Sequence, residues 1–352
     1  MLTKKRISPA AIAVTTPVQE KAYAANVSPT IAAAANCRPV FSPRMPKEPM
    51  IAALSTLSAC ASKLPARLPS WFKQEIPGSV ALSRMRRLSE LKINTVCRSA
   101  RCPNQGNCFQ GSHLTFMILG GSCTRQCRFC AVEKAAVKSL PVDKREPLRV
   151  VRAVKKLGIR YAVITSVTRD DLVDGGAEVF SRTVKGIRAL SGNVGIELLI
   201  PDFKGRISAL RTIAASQPDV VGHNIETVRR LYRSLRPGAN FSRSLEILRR
   251  IKELNPSLVT KSSLMLGMGE TPAEVIAAMR DLRRVDCDIL VLGQYLRPSA
   301  QHYPVQEFVT IRQFGEYCRR ARQLGFKAVL SAPLARSSYQ AQEVYRKARG
   351  LN

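Results

Sequence analysis

Leu114-Thr115-Phe116-Met117-Ile118-Leu119-Gly120-Gly121-Ser122-Cys123-Thr124-Arg125-Gln126-Cys127-Arg128-Phe129-Cys130 runs from an apolar stretch through two glycines into three cysteines. The first six residues read as a buried strand. A dinucleotide-binding sheet would follow its first strand with Gly-x-Gly-x-x-Gly; this one runs into cysteines instead. Their spacing is C-x3-C-x2-C. Three thiolates fill three corners of a cubane iron–sulfur cluster and leave one iron open to a small molecule. A structural zinc site wants four protein ligands, usually starting from C-x2-C pairs, so a zinc knuckle here lacks its fourth ligand.

Downstream, apolar and β-branched runs at 161–166, 195–200, 220–224, 259–266 and 288–292 alternate with helical patterns such as 148–157, 177–190, 242–254, 272–282 and 311–324. A seventh short apolar run follows at 328–330. Repeated strand-then-helix units imply parallel strands with right-handed crossovers. The pattern predicts an α/β fold, an open, partial (β/α)6 barrel of TIM type, with a flat doubly wound sheet as the alternative. Catalytic groups on such barrels sit at the C-terminal ends of strands, where this cysteine loop falls. The expected division is an extension over 1–60, an N-terminal cysteine-bearing segment over 61–112, the barrel over 113–330 and a C-terminal closing segment over 331–352.

Residues 1–60 are rich in Ala, Ser, Thr and Pro, with Lys4, Lys5, Arg6, Lys21, Arg38, Arg44 and Lys47 against only Glu20 and Glu48. They read as a disordered extension, with an organelle transit peptide as the alternative. No apolar run approaches the roughly 20 residues that cross a bilayer. The net charge of +31 attracts acidic partners. The basic residues are dispersed, as over 229–252, and no recognisable nucleic-acid motif with interleaved aromatics accompanies them, so nucleic acid is not expected. Six of the ten cysteines fall between Cys97 and Cys130, which points to metal in a reducing compartment rather than to disulfides. Only His113, His223 and His302 are present, against a histidine-rich site.

A first triplet precedes the quoted one: Cys97, Cys102 and Cys108, spaced C-x4-C-x5-C, which alone would suit a small zinc site. The second triplet, with Phe129 before its last cysteine, resembles the loop that defines the radical SAM (S-adenosylmethionine) superfamily. Both triplets together resemble the lipoyl synthase family. The resemblance continues in order through Ser166-Val167-Thr168-Arg169-Asp170-Asp171-Leu172, Asn224-Ile225-Glu226-Thr227-Val228, Lys261-Ser262-Ser263-Leu264-Met265, Gly293-Gln294-Tyr295-Leu296-Arg297-Pro298-Ser299 and Arg336-Ser337-Ser338-Tyr339. It spans about residue 64 to the C-terminus. Two departures stand out: Arg98 and Ser99 where the family commonly has acids, and Ala332-Pro333-Leu334-Ala335 where it usually has Gly-Pro-hydrophobic-Val.

The resemblance implies that Cys123, Cys127 and Cys130 hold a [4Fe–4S] cluster that binds and cleaves SAM. It implies a second, auxiliary [4Fe–4S] cluster on Cys97, Cys102, Cys108 and Ser338, consumed as the sulfur source, so the N-terminal segment is cluster-binding. Residue chemistry alone would leave Ser338 an ordinary loop serine; a hard oxygen ligand suits an iron that must later be lost. Phe129, Asn224, Glu226, Lys261 and Arg297 become candidate SAM or substrate contacts. Singly each has an ordinary reading: Arg169 with Asp170 and Asp171 could be a surface turn, Gly175-Gly176 a helix start. The implied reaction inserts two sulfurs at C6 and C8 of a protein-bound octanoyl-lysine. The implied partners are octanoylated lipoyl carrier domains (acyltransferase subunits of 2-oxoacid dehydrogenases and the glycine cleavage H protein), an electron donor such as ferredoxin or flavodoxin, and an iron–sulfur carrier protein. No membrane partner is implied, and the expected compartment is the cytoplasm, or a mitochondrion or plastid if 1–60 is a transit peptide. The alternatives are a radical SAM enzyme that inserts sulfur into tRNA, which should lack the first triplet and the Arg-Ser-Ser-Tyr segment, and a zinc protein that binds nucleic acid.

Overall fold

Each apolar run becomes a strand of one parallel sheet. The computed structural model describes residues 68–74, 76–135, 141–190 and 193–351, so the expectations for 1–60 lie outside the described residues. The strands are β1 (His113–Ile118), β2 (Tyr161–Ser166), β3 (Gly195–Leu199), β4 (Val220–Gly222), β5 (Val259–Leu266), β6 (Ile289–Gln294) and β7 (Ala328–Ser331). They pair in chain order, each parallel to the one before.

Helix α1 (Ser79–Glu90) precedes the sheet. Every step between strands carries a helix: α2 (Glu146–Lys156), α3 (Ala177–Arg188), α4 (Ile207–Ala215), α5 (Phe241–Leu254), α6 (Pro272–Arg284) and α7 (Ile311–Gln323), with α8 (Ala341–Ala348) after β7. Six strand–helix units are thus followed by a seventh strand. Among the described residues β1 and β7 do not pair, and the barrel stays open. No helix among them is long and apolar enough to cross a membrane.

The two faces of the sheet follow from strand alternation. Ala162, Ile164, Ile196 and Leu198 point outward and pack with α2, α3 and α4 residues such as Val150, Val184 and Leu210. The inner face is layered. At the bottom, α8 fills the open barrel: Ala341 packs with Tyr161 and Val163, and Val344 with Val220, Val259 and Ile289. Also on the inner face, Lys261 Nζ donates to Glu197 Oε1 at 2.8 Å and the Tyr161 hydroxyl to Glu197 Oε2 at 3.1 Å, with the ion pair almost wholly buried. Two residues further along the strands on the same face, Thr165, Leu199 and Ser263 open into a cavity.

The chain beyond β7 folds back over this end. Ala332 N–H donates to Leu292 O at 3.1 Å and Gln294 N–H to Pro333 O at 3.0 Å. Gly293 allows the approach, because a Cβ there would stand 1.9 Å from Ala335 O.

Candidate active site

At the C-terminal ends of the strands lies a cavity of about 1410 Å³. Cys97, Cys102, Cys108, Cys123, Cys127 and Cys130 all line it, and so does Ser338. All six thiols are free.

The 120–130 loop is held from several sides. The buried Glu146 carboxylate, at the start of α2, accepts the Leu119 N–H at 2.6 Å and the Gly120 N–H at 3.3 Å, fixing the exit from β1. Ser122–Cys123 pairs with Glu133–Lys134 in a two-residue parallel ribbon. Arg125 is the main anchor. Its guanidinium grips Asp170 through two donors, reaches Asp202 Oδ1 at 2.9 Å and donates to Gly238 O at 2.6 Å. The other Asp202 oxygen holds Arg243 at 3.1 Å. Arg128 N–H donates to Leu235 O at 2.9 Å, and Tyr303 N–H to Arg128 O at 2.9 Å. Cys123 Sγ accepts the N–H groups of Arg125 and Thr168, each at 3.4 Å. Burial pushes the Cys127 and Cys130 thiols up, opposed by Arg236 and Lys134 respectively.

The segment after β2 is no surface turn. Arg169 is 1% exposed. It pairs in bidentate fashion with Asp171 at 2.8 and 2.7 Å, while Asp170 serves Arg125. The Gly175-Gly176 reading as a helix start holds: Gly176 caps α3 in the left-handed region, and a Cβ on it would strike Leu119 at 2.2 Å.

The 97–108 loop is built of two single helical turns, Val96–Ser99 and Gln105–Cys108. Cys97 packs into the core beneath it. On the cavity side the loop meets the segment after β7. The buried Asn104 donates from Nδ2 to Leu334 O at 2.7 Å, Tyr339 hydrogen-bonds Asn107, and the Arg336 charge bears on Cys102. These contacts bring Ser338 to the same wall as the three thiols. The Cys108 thiol falls to about 6 through its hydrogen bond with Cys97, which is raised by the same contact and by burial; burial raises Cys102.

Of the other candidate contacts, Phe129, Asn224, Glu226 and Arg297 line the cavity. Glu226 has φ +64°, held by backbone bonds to Ser263 and Met265 of β5. Asn224 links two parts of the wall: Nδ2 donates to Glu226 Oε1 at 3.0 Å, and Oδ1 accepts from Ser337 at 3.2 Å. Burial pushes the Glu226 carboxyl up, with Arg236 opposing. Arg297 donates to the carbonyls of His302 and Ala300. Lys261 is not brought to the cavity; its ammonium is committed to Glu197 in the layer below.

Arg125, Glu146 and Arg236 were missed by sequence reasoning. Arg236 donates to the carbonyls of Asn224 and Ile225 at 3.1 and 3.2 Å and to the Tyr232 hydroxyl, with its Nε buried and unpartnered among the described residues. Behind it Tyr232 donates to Ser244 at 2.7 Å, and Ser244 lies 2.9 Å from His223 Nε2. His223 Nδ1 faces Ile200 O at 2.9 Å, and burial drives the imidazole down to about 4, so it is neutral and donates from Nδ1.

Three thiols on one loop, with two backbone N–H groups aimed at one sulfur and open space in front, fit a cluster held by three thiolates with one position left to a small molecule. Among the described residues no three Cys, His, Asp or Glu side chains close around a single point as one metal ion requires.

Comparison with known proteins adds four findings. The radical SAM superfamily profile matches residues 117–282. The chain is 51% identical over 285 residues to a lipoyl synthase of Caldanaerobacter subterraneus subsp. tengcongensis, covering 81% of this chain and 99% of that one. It is 47% identical over 282 residues to a lipoyl synthase of Rubrobacter xylanophilus, covering 80% and 87%. Among solved structures, the [FeFe]-hydrogenase maturase HydG superposes with a TM-score of 0.51 at 13% identity, over 76% of this chain and 66% of that one, a likeness of fold alone.

Proposed function

The chain belongs to the lipoyl synthase family of the radical SAM superfamily, and from that premise we propose how its two cysteine triplets divide the work. The reaction inserts two sulfur atoms at C6 and C8 of a protein-bound octanoyl-lysine, using iron–sulfur chemistry and SAM. In our reading Cys123, Cys127 and Cys130 hold one [4Fe–4S] cluster, and Cys97, Cys102, Cys108 and Ser338 hold a second. When bound, the first supplies the electron that splits SAM to methionine and a 5′-deoxyadenosyl radical, and the second supplies sulfur.

One observation carries this reading: both triplets and Ser338 face a single cavity at the strand ends. A single shared cavity would keep the two clusters and the acyl chain together and shield reactive species from solvent. The chain's own residues do the positioning. Phe129, Asn224, Glu226 and Arg297 are the proposed SAM and substrate contacts, and Asn224 couples that side of the wall to the Ser337–Ser338 segment. Leu199, Leu264, Met265 and Phe308 give the cavity an apolar lining for the acyl chain. Burying that chain contributes roughly 5 kcal/mol at about 0.8 per methylene.

The proposed domain division is a cluster-binding segment over 61–112, a barrel over 113–330 and a closing segment over 331–352. The proposed partners are octanoylated carrier domains, a ferredoxin or flavodoxin, and an iron–sulfur carrier, in the cytoplasm. The test is anaerobic loading with iron and sulfide, then incubation with SAM, reductant and an octanoylated carrier peptide. About eight irons per chain and a peptide carrying two new sulfurs, read by mass spectrometry, are expected. About four irons, or a peptide without added sulfur, overturns the two-cluster reading.

A further inference from the structure

A second, smaller cleft of about 590 Å³ lies between β4 and the first turn of α5. Arg229, Arg233 and Arg236 line it with Tyr232 and Phe241, and no carboxylate does. The Arg229 guanidinium lies over the Phe241 ring at 4.5 Å. Arg233 is exposed and has no ion pair among the described residues. The cleft shares one residue with the main cavity, Arg236, whose charge bears on Cys127.

The same segment is tied to the back of the cysteine loop. Leu235 O accepts the Arg128 N–H at 2.9 Å, and Gly238 O accepts from Arg125 at 2.6 Å. A molecule seated in the cleft touches Gly238, which is one hydrogen bond away from the Arg125 side chain of the cysteine loop. Arg236 lines both the cleft and the cavity, so the cleft abuts the site of the 120–130 thiols.

We propose that this cleft is the docking site for a small acidic one-electron carrier protein that reduces the cluster on Cys123, Cys127 and Cys130. The proposal rests on the two-cluster reading above. In the step itself one electron leaves the reduced carrier, which is oxidised by one electron, and enters at the cysteine loop; no bond is made or broken. The octanoylated carrier takes the other entrance, the open mouth of the cavity. Arg229 is held by Asp281 at 3.6 Å, but the exposed Arg233 is unpaired among the described residues and no carboxylate lines the cleft, which favours salt-sensitive encounter with an acidic partner.

The test compares two sources of electrons, reduced flavodoxin and dithionite, with the octanoylated carrier peptide as substrate and 5′-deoxyadenosine release as readout. In Arg229→Glu/Arg233→Glu the flavodoxin concentration for half-maximal rate should rise about tenfold at low ionic strength, while the dithionite-driven rate and the KM for the peptide stay unchanged. Should the double variant lose the dithionite rate through misfolding, Arg233→Glu alone carries the test, since that side chain is exposed and unpaired among the described residues. An unchanged flavodoxin dependence overturns the proposal. So does a raised peptide KM with dithionite, which would assign the cleft to the substrate carrier. A wild-type protein that releases no 5′-deoxyadenosine with dithionite overturns the underlying reading, and the docking with it.

Discussion

Cys123, Cys127 and Cys130 sit on a loop pinned by charged and backbone contacts from the middle of the chain: Glu146, Thr168, Asp170, Asp202, Leu235 and Gly238. Cys97, Cys102 and Cys108 sit on a loop whose cavity side is closed chiefly by one segment, 333–339, more than two hundred residues later. The first attachment is ionic and buried, the second rests on neutral hydrogen bonds and one partly exposed arginine. A site that must survive many turnovers is served by the first kind. Under the proposed division of labour, a cluster that is consumed and replaced would sit on the second kind of attachment, because a few hydrogen bonds open at small cost.

The sharpest division of labour would appear in the thiols. Cys127→Ala should abolish 5′-deoxyadenosine release and sulfur insertion together. Cys102→Ala should leave the release and abolish the insertion. Equal loss of both in the two variants would erase the distinction between the loops. The next effect is on stability. Arg125→Met leaves Asp170 without its ion-pair partner and Asp202 with Arg243 alone, and should lower the unfolding free energy by about 3 kcal/mol in denaturant titration. The smallest is on the weaker attachment. Asn104→Ala removes the bond to Leu334 O and should lower stability by about 1–2 kcal/mol. It should also raise hydrogen exchange over 332–339 while leaving 120–130 protected. Faster exchange in both segments would mean that the two loops open as one.

The sheet was legible because strands buried on both faces are largely apolar or β-branched, and most runs from 114 to 330 follow that rule, although 259–266 carries Thr260, Lys261, Ser262 and Ser263. The thiols were legible because their spacing is set by local chain geometry. The anchor was not. Arg125 finds Asp170 and Asp202 45 and 77 residues away, and no local pattern marks such a pairing. For the same reason Arg169-Asp170-Asp171 looked like a solvated turn, although Arg169 is buried against Asp171. Lys261 shows a different limit. Alternation along β5 puts it on the inner face with Ser263, but depth within the barrel decides its role. One layer down it meets Glu197 rather than the cavity.

The bond from Asn104 to Leu334 has a consequence for biogenesis. Chains emerge from the ribosome N-terminus first. By the time Gly238 is out, the 120–130 loop has its ionic partners, while His302, Tyr303 and the apolar residues around Phe129 come later. The 97–108 loop, although made earlier, must wait for Leu334, Arg336 and Tyr339. A nascent chain thus closes the later-made loop before the earlier one, and under the proposed assignment the pocket of Cys97, Cys102 and Cys108 stays open to iron and sulfide until the 334–339 segment has been made.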